Sequence, residues 1–218
     1  MLRPLFAALC LVACARGESP QADSGSVAVT PEGTPYAYER IPLDTARRPG
    51  AVIDSVFPMP EMMRRFRDGL PEVRALHGGA ESRRELAERF AAALAARDRA
   101  TLGQLTLSRA EFAYLYFPNT ADAASDNGLP PTLRWDQITL ASEKGIARAL
   151  ERVGGRGALT LIQLDCPNPP VSQGPVTLHD GCSIRLKQAE GTEFDGRLFG
   201  PIMEYAGTFK FIGYANDM

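Results

Sequence analysis

Apolar residues recur at helical spacing up to about residue 155 and at alternating spacing beyond it, so helices are predicted first and strands afterwards. Leu86, Phe90 and Leu94 stand four apart behind Ser82 and Glu85, a pair spaced to cap a helix reciprocally. This predicts a helix over 82–97 with one buried face, and its five alanines between 91 and 96 permit close packing. A short helix is expected over 100–105. Ser108 and Glu111 repeat the capping pair ahead of Phe112, Leu115 and Tyr116, with Pro118 as the stop. Trp135, Ile138, Ile146, Leu150 and Val153 fit one face of a helix over 133–152 that Gly154-Gly155 closes. Upstream, Pro60 and Gly69 bracket a helix over 61–68. Its Met62, Met63 and Phe66 either cover the edge of the core or, because methionine faces adapt to many shapes, dock a partner.

In the alternating region, Leu159, Leu161 and Leu164 predict a strand ending at Cys166, and Cys182, Ile184 and Leu186 predict a second. Two more are expected over 198–205 and 208–214, joined by a hairpin turn at Ala206-Gly207. The polar stretch 119–131 and the Pro/Gly-rich stretch 167–181 read as connections. The predicted class is α+β, with N-terminal helices packed on one curved antiparallel sheet of about four strands.

The N-terminus has a different pattern. Arg3 supplies a small positive start, residues 5–13 form an apolar run, and small residues approach Cys14. So short a run cannot span a bilayer core, which takes about 20 residues, and it reads as a cleavable signal over 1–13. Leu11-Val12-Ala13-Cys14 resembles the lipobox of bacterial lipoproteins. That resemblance implies diacylglycerol on the Cys14 sulfur, cleavage just before it, and an N-acylated Cys14 holding the chain to a lipid bilayer of the cell envelope; several acyl chains anchor stably where one is marginal. Ala15, where an inner-membrane retention signal often carries Asp, favours the outer membrane slightly. The alternative is an ordinary secretory signal cut after Ala15. Residues 14–50 are rich in Gly, Ser, Ala and Pro and predict a flexible tether, with Tyr36, Tyr38, Ile41 and Leu43 as its apolar cluster. Residues 51–79 then form a pre-domain helix and turn, and 80–218 the α+β domain.

At 44% hydrophobic and 23% charged residues the chain can bury a core. Its net charge of −2 offers none of the concentrated basic surface that a phosphate backbone requires, so nucleic acid is not an expected partner. With Cys10 in the signal and Cys14 taken by lipid, Cys166 and Cys182 are the pair left in the body, and in an oxidising compartment they are expected to be joined. The alternative of free thiols on a metal finds only His179 nearby, short of a tetrahedral zinc set, and no metal or other cofactor is implied. Phosphate-cradling glycine loops, nucleophile elbows, zinc-protease helices and calcium loops are absent from the sequence. His77 and His179 both fall in expected turns or loops and read as solvated. Asp98 reads as a helix-terminus acceptor, and Asp165 falls at a strand end.

The run from Phe90 to Asp98 with Leu102 and Leu105, the Gly145-Ile146 helix, and the closing hairpin from Gly207 to Tyr214 resemble the nuclear-transport-factor-2-like (SnoaL-like) superfamily over about residues 80–218. That resemblance implies a cone-shaped cavity between sheet and helices, which some members use as an active site and others for binding or assembly. Tyr114, Tyr116, Trp135, Tyr205 and Tyr214 are the candidate pocket lining, although aromatics at these spacings serve equally as core. No catalytic residue is assigned. The leading expectation is an envelope lipoprotein binding a small apolar ligand or another envelope protein; the alternative is an acid/base enzyme of isomerase, dehydratase or hydrolase type, using a carboxylate or histidine in that cavity.

Overall fold

The computed structural model describes residues 28–29, 35–36, 57–125 and 127–216. The signal over 1–13, the lipobox and Cys14 lie outside the described residues, as does most of the stretch expected to be a tether. Within that stretch, strands β1 (Ala28–Val29) and β2 (Pro35–Tyr36) form a small antiparallel ladder. The chain divides into two units, Met1–Asp54 and Ser55–Met218. The second unit is the α+β body.

The helices of the body stand close to the positions their periodicity predicts. Helix α1 (Met59–Arg67) begins beside Pro60, and Gly69 follows its end with φ +73°. Its Met59, Met63 and Phe66 are buried against Phe112, Ala113 and Phe117, so the methionine face is covered by the body itself. Phe66 meets Phe112 edge-on, with ring centres 5.6 Å apart. Helix α2 (Arg83–Ala96) opens with Ser82 Oγ accepting the Glu85 amide, while the Glu85 carboxylate reaches back to the amide of Glu81. It ends at Arg97, which adopts the left-handed conformation. Asp98 caps α3 (Arg99–Gln104) through the Thr101 amide and hydroxyl, and these bonds hold its carboxyl below the usual aspartate range.

The Ser108–Glu111 capping box forms as expected at the head of α4 (Arg109–Glu111), but an α-helix does not continue to the proline. Residues Phe112–Tyr116 widen into a π-helical turn, with the Phe117 amide donating to the Phe112 carbonyl, and Phe117–Asn119 tighten into a 3-10 turn around Pro118. Proline has no amide hydrogen to extend the helical ladder, so the chain changes pitch before and after it. Helix α5 (Pro131–Arg152) closes the helical half, and Val153 and Gly154 take the last helical carbonyl bonds.

The expected single sheet of about four strands is corrected to two antiparallel sheets. One is three-stranded, with order β3-β6-β7, formed by β3 (Leu159–Asp165), β6 (Ser183–Gln188) and β7 (Glu193–Gly196). The other is four-stranded, with order β4-β5-β8-β9, formed by β4 (Val171–Gln173), β5 (Val176–His179), β8 (Ile202–Tyr205) and β9 (Thr208–Phe211). The stretch 167–181, expected as a connection, is the β4–β5 hairpin, which leaves the first sheet and pairs with β8 of the second. Cys166 and Cys182 are disulfide-bonded at its base, where β3 ends and β6 begins. That bond leaves neither sulfur free as a metal ligand. Strand β8 starts four residues later than predicted because Leu198 and Phe199 turn into the core and Pro201 cannot donate to a ladder. Strand β9 ends at Phe211, and Ile212 instead donates to the Pro201 carbonyl. Ala206 and Gly207, both at positive φ, form the predicted hairpin turn.

The main core is centred on Phe90, which lies edge-on to Phe199 and Phe211 and stacks on Tyr214 at 5.3 Å. Tyr214 donates its hydroxyl to the Leu102 carbonyl at 2.7 Å, and burial pushes its phenol far above the ordinary range. At Gly145 helix α5 approaches the C-terminal segment so closely that a Cβ there would stand 1.6 Å from the Tyr214 carbonyl oxygen. Asn216 seals the contact by donating to the carbonyls of Gly145 and Leu198.

Candidate functional site

One face of the N-terminal half of α5 does not close on its neighbours. It leaves a cleft of about 460 Å³ between Arg134, Gln137, Ile138 and Ala141 on the helix and a wall formed by Tyr116, residues 120–122, Gln173, residues 200–201 and 212–213, and Ala215. The helix residues recur at three- and four-residue steps, so they share one face. Tyr116 arrives at the end of the π turn, and Gln173 at the end of β4. The hairpin tip that carries Gln173 is held close to the 117–119 turn: a Cβ on Gly174, whose φ is +59°, would stand 2.7 Å from Asn119 Oδ1. Asn119 is itself fixed through its amide on the Leu115 carbonyl at 2.7 Å.

Most of the wall is apolar. Its two formal charges neutralise each other: Arg134 donates from Nε at 2.8 Å and from Nη2 at 2.5 Å to Asp122 Oδ2, while Asp122 Oδ1 accepts the Leu129 amide at 3.1 Å. Burial alone would raise the Asp122 carboxyl, but the arginine and the amide outweigh it and hold the group below the usual aspartate range. Burial pushes the Tyr116 phenol up, so it stays protonated. Gln173 Oε1 is buried and has no hydrogen-bond partner.

The five aromatics expected to line a cavity do not converge. Tyr116 faces the cleft. Trp135 packs on Phe112 with ring centres 5.2 Å apart and borders a smaller depression with Thr106, Leu107 and Ile212. Tyr114 lies under the Arg67 guanidinium at 4.6 Å. Tyr205 is half-buried at the end of β8, and Tyr214 is a core residue. Of the histidines, His77 is exposed as expected. His179 is corrected: it closes β5 in a buried position, with Nε2 3.0 Å from Glu204 Oε2, because the segment expected as a loop is a strand.

A second polar cluster escaped the pattern reading. Lys210 on β9 and Glu111 of α4 are 2% and 1% exposed and meet at 2.8 Å. Lys210 also donates to the His77 carbonyl, and Glu111 accepts the amides of His77 and Ser108 at 2.7 Å each. Desolvation opposes ionisation of Glu111, yet the lysine and the two amides prevail and hold its carboxyl below the ordinary value of 4.5. The ammonium has two internal acceptors and the carboxylate three internal donors, which suits a brace and not a reactive site. Among the described residues no group of three or more His, Cys, Asp or Glu side chains is placed to hold a metal ion, and no helix is long and apolar enough to cross a membrane.

Fold and cleft together define an α+β body with a largely apolar, ligand-sized recess beside its longest helix. No protein-family model, curated protein or solved structure matches the chain.

Proposed function

We propose that this chain is an exported lipoprotein, held to an envelope membrane through acylated Cys14, whose α+β body binds a small, mainly apolar molecule in the cleft beside α5. The cleft carries the binding half of this reading. Its volume of about 460 Å³ falls in the range of roughly 300–1,000 Å³ typical of small-molecule sites, and its wall combines an apolar surface with a few fixed polar groups. The leader and lipobox support the address, and a joined Cys166–Cys182 pair suits an oxidising compartment. Ala15 after the acylated residue favours the outer membrane. We assign the body to the nuclear-transport-factor-2-like fold on the resemblance of its sequence over residues 80–218; it departs from that superfamily after α3, where the helical run 109–119 stands in place of a strand.

A small molecule fits better than a protein partner. The exposed leucines of α5, Leu133 and Leu140, make a small patch, whereas a stable interface takes roughly 800 Å² from each side. The acid/base alternative would rest on Asp122, the carboxylate of the cleft, but its bond to Arg134 depresses its pKa, the reverse of what a general acid near neutrality needs.

Titration with the neutral apolar dye N-phenyl-1-naphthylamine tests the binding half. Saturable fluorescence enhancement is expected from the full chain, and Ala141→Trp, which fills the cleft, weakens it at least about tenfold, a loss of about 1.4 kcal/mol, with an unchanged melting temperature. Binding that is non-saturable or indifferent to Ala141→Trp would contradict the reading. The address is tested by intact mass of the protein extracted from membranes: a chain starting at acylated Cys14 is expected, and an unmodified start downstream of it removes the anchor.

A further inference from the structure

Given a small-molecule site beside α5, as proposed above, its surroundings narrow the chemistry of the ligand. We infer, on that reading, that the ligand is a single-chain amphiphile: its apolar chain lies in the cleft, and an anionic head group meets Lys144 and Arg148 at the open end. Continuity of the surface carries this. Beside Gln137, Ala141 and Ala215 the cleft borders a second, open depression of about 280 Å³, which shares those three residues and is completed by Leu140, Lys144, Arg148 and Asn216. Lys144 and Arg148 stand four residues apart on one face of α5, so a single head group can reach both.

Charge is spread unevenly along this path. Inside the cleft Asp122 and Arg134 neutralise each other, so a charge on the inner part of a ligand would have to break that pair or go uncompensated. At the open end the two cations lack that balance. Among the described residues Lys144 meets no carboxylate, and Arg148 gives Nε and Nη2 to the neutral side chain and the carbonyl of Asn216. The neighbouring acids of α5 border other depressions: Glu143 the one beside Trp135, and Glu151 the one it shares with Arg148, Arg152 and Arg156. Leu140, more than half exposed, extends the apolar lining of the path. An anionic head therefore finds charge-assisted donors where an apolar chain leaves the cleft.

Ten-carbon chains that differ only in the head test this: decanoate, decyl phosphate, 1-decanol and decyltrimethylammonium. Each is titrated calorimetrically into the full chain, below its micelle concentration and at mildly alkaline pH. At least one anion should bind about tenfold tighter than 1-decanol, the tighter anion identifying the head group, and decyltrimethylammonium should bind weakest. In Lys144→Glu, which alters an exposed side chain, the ratio of anion to alcohol should fall to about one, with thermal denaturation confirming the fold. Lys187→Glu, the same change of net charge on an exposed position of β6, should leave the ratio at about ten. Anions that bind no tighter than 1-decanol, tightest binding of decyltrimethylammonium, or equal responses of the two variants would overturn the inference while leaving a small-molecule cleft in place. Failure of all four chains to bind would remove the cleft reading itself, and the inference with it.

Discussion

The two halves of helix α5 meet the rest of the body in opposite ways. At its C-terminal half, Gly145, Ile146, Ala149 and Leu150 are buried, and the helix lies directly on the backbone of Tyr214. At its N-terminal half, Arg134, Gln137, Ile138 and Ala141 face an open recess, while Leu133 and Leu140 project into solvent. The closed half is held by close packing, with Gly145 and Ala149 admitting the neighbouring backbone and Ile146 and Leu150 filling the core. The walls around the open half are held by directional bonds instead: Glu111 on Lys210 behind the π turn, Asp122 on Arg134, Asn119 on Leu115, and the disulfide below the hairpin. The contrast indicates why a recess survives in an otherwise filled body. Packing alone would collapse it, whereas walls positioned by bonds and a crosslink can stand apart.

The largest effect is expected at the buried ion pair. Lys210→Met leaves the Glu111 carboxylate buried without its cation and should cost roughly 3–5 kcal/mol in urea denaturation. Hydrogen exchange should locate the loosening at the π turn and the loop behind the cleft. The same pair sets the behaviour in acid. Because Glu111 is held below 4.5 in the folded protein, its stabilisation is complete above that pH and is lost as pH falls through the folded-state value. Denaturation midpoints should therefore decline on the acid side, and Lys210→Met should flatten that decline; a variant with the original acid profile would show that the brace is not what titrates.

At the closed half, Gly145→Ala sharpens the comparison, since it improves helix propensity yet places a methyl group on the Tyr214 carbonyl. A net loss of about 3 kcal/mol is expected, and a neutral or stabilising outcome would mean that the contact is loose. Replacing both Cys166 and Cys182 by serine should cost a further ~3 kcal/mol on the chain-entropy account, measured against the disulfide-bonded protein by the same method. The smallest effect belongs to Asp122→Asn. Its pair with Arg134 is partly solvated, so a change under about 1 kcal/mol in stability is expected, visible mainly as altered ligand preference.

Periodicity and capping chemistry made the helical half of the body legible in advance. Ser82 and Ser108 cap the helices they were expected to cap, Asp98, read as a helix-terminus acceptor, caps α3, and Gly154 follows the last turn of α5. The strands were only half legible. Strand β7 is Glu-Phe-Asp-Gly, with a single apolar side chain to signal it, and it lies at a sheet edge where charged residues are tolerated. The β4–β5 hairpin is short and surrounded by Pro and Gly, so its composition reads as loop. That concealed both Gln173 and the buried setting of His179.

The site was legible only at Tyr116. The tyrosine set was chosen by residue type, whereas the cleft is defined by where α5 stands off, a tertiary spacing that alternation of apolar and polar residues does not encode. Asp122 and Arg134 are twelve residues apart across a turn, and Lys210 and Glu111 are brought together from positions 99 residues apart. In each pair one partner alone looks like an ordinary surface charge, and only the fold supplies the other.

The central claim is that the recess beside the N-terminal half of α5 takes up a small molecule. Backbone and methyl NMR spectra of the full chain during titration with 1-naphthol test it most directly. The account predicts saturable shifts confined to Ile138, Ala141, Gln173, Gly200, Ile212 and Gly213, with the Phe90 core unmoved. Shifts that are absent, never saturate, or centre on any other part of the body would contradict it.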